Sequence, residues 1–510
     1  MEVALSSNSA DEPAIHRLVD DILGYIFLLN ATPTDDPDQG SEDPTVEHAT
    51  TVASSQVCTR WRSIALDCHT IWSLIIDYHR HPLKWIETLL DRSNPSLLDF
   101  GSRCNRVVLE ELVDGQGVLE LILNRIDRIR NFNLYVPFSS WELVCSQFLQ
   151  MPAPNLEFIH IFPDRTAGHL AHPLFNNHAP NLQSLGLVRC TVDFNSPVLT
   201  PLTELNVSLS KENSRPTSLD WLNILRGMPS LRSLRLGRAI SSGSPNDIFP
   251  VIHLDELDML SVDGPLHECV TLVKHLIMPP RCGLRLRCHH AHLGFDQRQL
   301  WAIIEKKTNS WAKNTPYRRF NAVSSAGFAS IGNLSRDGDE WESKEMDPAM
   351  SISLALSNFQ DTIPLFHSLF ALFEHTFLYT KCLKLWIDHD PAGAEAFLPL
   401  VDNIRGLVNL EKLIAGNDSL PKLLFPLLQH SNSVLLPAIK SIYFFDVTFQ
   451  EGSDSILRVA DFLQWRKERG FPVQKININS DPRRINRQYV LSHIQDTFVE
   501  MDSDTEGEDN

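Results

Sequence analysis

The chain has 510 residues, 43% of them hydrophobic, and a formal net charge of −18. That length exceeds one simple core and points to roughly three or four domain-sized units or one elongated repeat array. No apolar run of about 18 residues stands in it to span a membrane. The acidic start "MEVALSSNSADEP" has no basic and apolar signal region, and nine scattered cysteines fit reduced thiols, so the reading is cytoplasmic or nuclear.

Residues 1–12 read as a disordered start. "HRLVDDILGYIFLLN" (16–30) reads as an amphipathic helix with Leu18, Ile22, Leu23, Ile26, Phe27 and Leu29 on one broad face. Asp20 and Asp21 favour its positive N-terminal end. An insert, residues 31–48, follows with six acids and no lysine or arginine. "ASSQVCTRWRSIALD" (53–67) predicts a second helix with Val57, Cys58, Trp61, Ile64 and Ala65 on one stripe. "IWSLIIDY" (71–78) reads as strand, and "HPLKWIETLLDRSN" (81–94) as helix, with Pro82 suited to its first turn.

A repeat then begins. "PNLEFIHI", "PNLQSLGL", "PLTELNV", "PSLRSLRL", "DELDMLSV", "GLRLRC", "CLKLWI", "VNLEKLIA" and "AIKSIYFF" align on a Leu-x-x-Leu-x-Leu core. The aligned positions are Ile159, Leu185, Leu205, Leu234, Leu260, Leu284, Leu385, Leu413 and Ile442. One long spacing, from Leu284 to Leu385, leaves room for two weaker strands near 319–325 and 351–357. Residues 131–135 and 475–479 look like further copies. One strand and one helix cannot bury an apolar face alone, whereas stacked copies can. The pattern therefore predicts an α/β chain, an irregular solenoid over 79–495 with a curved parallel sheet and outer helices. Residues 496–510, with seven acids, read as a solubilising disordered tail in which Ser503 and Thr505 suit acid-directed phosphorylation.

Together the two acidic segments carry thirteen of the negative charges. The rest of the chain is mildly acidic, which excludes broad nonspecific nucleic-acid binding. Alternation along the strands leaves Arg235, Arg285 and Arg287 as a basic patch for an acidic target, and Trp386 and Tyr443 as aromatic anchors. "CGLRLRCHHAH" (282–292) gathers cysteine and histidine, but it lacks paired zinc spacings, and alternation puts Cys282 and Cys288 on the core face. No metal or cofactor is expected. Phosphate-loop, dinucleotide, His-Glu-x-x-His and Gly-x-Ser-x-Gly motifs are absent.

The first two helices resemble an F-box, in the version common in mushroom-forming fungi. The match runs through Leu18, Ile22, Leu23, Ile26, Phe27, Val57, Cys58, Trp61, Arg62, Ile64, Ala65 and Trp72. Val19 stands where that family usually has proline, and Asp21 where it has glutamate. The resemblance implies a small helical F-box over 13–78, followed by degenerate leucine-rich repeats. It implies a non-catalytic receptor: the F-box docks on a Skp-type adaptor that joins a cullin–RING complex, and the repeats hold a protein target. Adaptor contacts would come from Leu18, Ile22, Leu23, Ile26, Val57, Cys58 and Trp61, some of which must instead form the module's own core. A non-ligase scaffold with a degenerate F-box is the competing class.

Overall fold

The computed structural model describes residues 14–32, 45–103, 105–167, 169–170, 173–211, 213–244, 246–291, 295–314, 319–325, 328–333, 350–356, 362–388, 398–418, 420–429, 434–451, 454–479, 484–494 and 498–501. The expectations for residues 1–12, for most of the acidic insert, for His292 and for Ser503 and Thr505 lie outside the described residues. The chain forms two compact units, Met1–Ser214 and Arg215–Asn510. Both are mixed α/β and built on a mostly parallel sheet. Among the described residues no helix is long and apolar enough to cross a membrane.

The first unit opens with helices α1 (Asp20–Ala31), α2 (Thr45–Ser54), α3 (Thr59–Asp67), α4 (His69–Leu74) and α5 (Leu83–Arg92). Phe27, Ala31, Ala65, Ile71, Trp72, Ile75 and Leu89 form their shared core. Two expectations are corrected here. No single helix runs over 53–67. The chain breaks after Ser54, and Cys58 restarts it as the N-cap of α3, its Sγ accepting from the Trp61 amide at 3.5 Å. The preceding α2 takes up residues 45–48, which were expected to be loop. The run 71–78 is not a strand. Instead α4 turns Ile71 and Trp72 fully inward, and the Trp72 indole donates to the Ala65 carbonyl at 2.7 Å. A buried, hydrogen-bonded indole outweighs the strand preference of these residue types.

The sheet of this unit follows: β1 (Leu98–Phe100), β2 (Val107–Val108), α6 (Gly115–Leu123), β3 (Ile129–Val136), α7 (Phe138–Leu143), β4 (Phe158–Pro163), β5 (Ser184–Val188) and β6 (Glu204–Ser208). β1 and β2 pair with successive parts of β3, with residues 101–106 between them. Ile159, Leu185 and Leu205 share one register and are buried, as the repeat alignment requires. Each such burial stabilises by about 1.5–3 kcal/mol.

The second unit contains α8 (Ser218–Arg226), β7 (Ser233–Gly237), β8 (Ile252–His253), β9 (Met259–Pro265), α9 (Leu266–Lys274), β10 (Leu276–Ile277), β11 (Gly283–Ala291) and α10 (Phe295–Asn314). It continues with β12 (Arg319–Ser325), β13 (Phe328–Asn333), β14 (Ser351–Leu356), α11 (Thr362–Ala371), α12 (Glu374–Phe377), β15 (Cys382–Asp388), α13 (Leu398–Ile404) and β16 (Lys412–Gly416). It closes with α14 (Phe425–Gln429), β17 (Ser441–Phe445), α15 (Asp454–Glu468), β18 (Lys475–Asn479), α16 (Arg487–His493) and β19 (Phe498–Met501). β19 pairs with β18, Val499 opposite Ile476, so the expected disordered tail does not start at 496.

Strand order in this sheet is β7, β9, β11, β14, β13, β12, β15, β16, β17, β18, β19. The two strands expected in the long spacing are present, but reversed in order. Between them lies β13, antiparallel to both and unforeseen. Among the described side chains its inward residues are Ala329 and Ile331, too short an apolar signal to read as a repeat copy. The aligned position Leu385 is also corrected: Leu413 pairs with Leu383, and Leu385 with Ala415. β15 buries Leu383, Leu385 and Ile387, and a period of two does not choose among them.

Two recurring devices join adjacent copies. Asn155, Asn181 and Asn409, each directly before a leucine, donate back to the carbonyls of Asp127, Pro154 and Leu378 at 2.6, 2.9 and 2.8 Å. Arg189, Arg238 and Asn417, directly after β5, β7 and β16, hold φ of 56°, 51° and 60°. Their amides donate to Ser208, Asp263 and Phe445 carbonyls. These left-handed corners let the chain leave one strand while still tied to the next.

Candidate docking faces

Helix α1 has apolar residues at 22, 23 and 25–29, more than one stripe can bury. Leu23, Phe27 and Ala31 face the core. The other side is uncovered: Val19 is 63% exposed, Ile22 47%, Tyr25 58% and Leu29 56%, with Val57 before α3 at 61%. Leu18, Ile26, Cys58 and Trp61 are half-buried. The Arg60 guanidinium of α3 binds the Asp20 carboxylate at 2.7 and 2.9 Å and also the Leu18 carbonyl, which fixes the start of α1 against α3.

The seven docking candidates therefore divide. Ile22 and Val57 face outward, and Leu18, Ile26, Cys58 and Trp61 lie at the boundary. Leu23 is corrected to a core residue, because its side chain is fully buried. Val19 and Tyr25 were missed as surface candidates, and Leu29 was read only as part of the amphipathic face. The signal for all three was the same: a helix apolar nearly all round whose neighbours cover one side.

The open faces of the two sheets differ. In the first unit the chain covers its own face. Arg103, on the loop 101–106, reaches both Glu204 oxygens at 2.6 and 2.7 Å and lies over the Phe158 ring. Arg106 lies over Phe162. His160 lies across Gly186, where an added Cβ would sit 1.3 Å from the imidazole, and meets the Asn206 amide at 3.3 Å.

In the second unit the row between the buried positions runs in register through Arg235, Ser261, Arg285, Ser351, Gly332, Asn321, Lys384, Ile414, Tyr443 and Asn477. Arg235 and Arg285 therefore flank Ser261. Burial lowers the Arg285 pKa, and the neighbouring Arg235 charge lowers it further. Arg287 lies one step along, opposite Asp263, whose carboxylate is bound by His289. The expected basic patch is thus brought together. The expected aromatic pair is not. Trp386 lies in the next row and meets Phe445, centroids 5.1 Å apart, across Gly416. Tyr443 is instead covered by the Lys412 ammonium at 3.7 Å.

Cys282 and Cys288 are buried on the inner side of β11. The hydrogen bond that the Cys269 thiol donates to Cys288, together with burial, pushes the Cys269 pKa well up. Among the described residues no three histidines, cysteines or acids converge as a metal ion requires. A scan against protein-family models matches none. A search of curated proteins finds no match.

Proposed function

We propose that the chain is a substrate receptor of a Skp–cullin–F-box type ubiquitin ligase, with helices α1 to α4 as the F-box and the strand–helix copies as irregular leucine-rich repeats. The observation that carries this reading is the uncovered apolar strip of α1 with Val57 beside α3. Several large apolar side chains held in water on one rigid helix favour a helix-in-groove partner. Burying each would contribute up to about 1.5–3 kcal/mol. Val19, at the family's proline position, holds φ −71° and ψ 155°, backbone that a proline would also adopt. The proline is therefore dispensable for entering the helix.

In this reading the ubiquitin transfer chemistry belongs to the partners. The receptor holds a target on the sheet and raises its effective concentration at the ligase. Co-purification of the full chain with a Skp-type adaptor and cullin tests it. Stable capture supports the receptor, and absence of capture by the folded chain leaves the scaffold reading.

A further inference from the structure

We propose that the open face of the second unit's sheet binds an extended acidic segment of a target protein. This deepens the receptor reading by naming the target's chemistry, and it depends on that reading for the target's fate. The starting observation is charge. In a chain of net charge −18, several arginines elsewhere are matched to carboxylates, as in Arg60–Asp20, Arg125–Asp91, Arg130–Asp99 and Arg484–Asp446. On this face, among the described residues, Arg235, Arg287, Lys384 and Lys412 have no carboxylate within ion-pair reach. The lysines rest instead on aromatic rings, Lys384 over Phe445 at 4.7 Å and Lys412 over Tyr443. The acids placed on this face are Asp263, held by His289, Asp388 at the end of β15, and Glu500 of β19, which stands in register with Asn477 at the far end of the row.

Spacing decides the kind of anion. Six strand steps separate Arg235 on β7 from Lys384 on β15. At about 4.8 Å per step that is roughly 29 Å along the sheet. A lone phosphate reaches one cluster and leaves the other unmatched. A polyacidic segment of about a dozen extended residues reaches both. Between the clusters the row holds Ser351, Gly332 and Asn321, which carry no charge, and Ser351 and Asn321 add hydroxyl and amide groups. Distributed single charges of this kind set register and speed encounter, and they are weakened by salt.

The test is fluorescence anisotropy with the full chain, without adaptor, using a labelled peptide of about a dozen Asp and Glu residues. The acidic peptide binds, and binding weakens with salt. The pair Arg235→Ala/Arg287→Ala and the pair Lys384→Ala/Lys412→Ala each weaken it by about tenfold or more. Arg235→Lys/Arg287→Lys keeps the affinity within about threefold, which separates lost charge from lost folding. Equal binding of the Asn/Gln counterpart overturns the proposal. So does equal binding of a neutral peptide carrying one phosphoserine, or indifference to the lysine pair. Binding that emerges only after residues 502–510 are removed assigns the face to the chain's own acidic segment, and also overturns it. Peptide binding without adaptor capture would keep this inference and remove the receptor reading.

Discussion

The Trp61 indole packs against the Phe27 ring, with centroids 5.3 Å apart and planes tilted by 57°. The residue that the sequence marks as a docking anchor is thus also part of the core of its own module. Trp61→Ala should lower stability by about 1–3 kcal/mol, because half of a large side chain leaves a packed site. Ile22→Ser should change stability by less than about 0.5 kcal/mol, since Ile22 already faces water. Chemical unfolding of both variants checks this. Adaptor binding lost on Trp61→Ala alone is therefore ambiguous, whereas loss on Ile22→Ser is not.

A histidine pair should make this module sensitive to acid. The His48 and His81 rings lie 4.4 Å apart, and the Trp85 indole donates to His48 Nε2 at 3.1 Å. Burial lowers both pKa values, and the His48 charge lowers that of His81 further. The unfolded chain, with histidines near 6.5, therefore takes up protons first. Stability is full above about 6.5 and falls as pH drops from there through the lower folded values. Melting temperature should decline from about pH 7.5 to 5.5, and the decline should be smaller in His48→Asn/His81→Asn.

The asparagines before the strands should act as separate ties. Asn181→Ala frees the Pro154 carbonyl and Asn409→Ala frees that of Leu378, each costing about 1 kcal/mol. Urea unfolding of each variant measures it. A leucine-for-isoleucine exchange at a buried strand position, with no hydrogen bond to lose, is the packing control.

Arg466 is a buried cation with a structural task. Its guanidinium donates to the carbonyls of Phe471, Leu435 and Leu436 at 3.1, 3.0 and 3.1 Å, and burial lowers its pKa to about 10. Arg466→Met keeps the bulk and strands these carbonyls, so stability should fall by about 2–4 kcal/mol. Thermal unfolding is the readout.

Much of this was legible in the sequence, for identifiable reasons. The aligned segments carry alternating apolar residues, several of them after a proline, and each ends in a strand. The Asn in "PNL" and "VNL" was in plain view, but its donor role depends on a carbonyl about one repeat away, which spacing alone does not reveal. Helix α2 was hidden by its threonines, poor helix formers that are held here by packing, with Thr51 buried. Trp72 was misread because an isoleucine-rich run suits both strand and buried helix. The basic patch was readable from alternation, whereas the separation of Trp386 from Tyr443 was not, because it turned on the two-residue shift of β15. On α1 the apolar positions were evident, and only the packed neighbours show that Leu23 turns in while Tyr25 and Leu29 turn out.

The central claim is that the uncovered strip of α1 is a docking site, and adaptor binding to Ile22→Asp and Val57→Asp variants of the full chain tests it most directly. The account predicts that the parent chain binds a Skp-type adaptor, that each variant weakens binding by about tenfold or more, and that melting temperatures stay unchanged. No binding by the folded parent chain, or full binding by both variants, would contradict it.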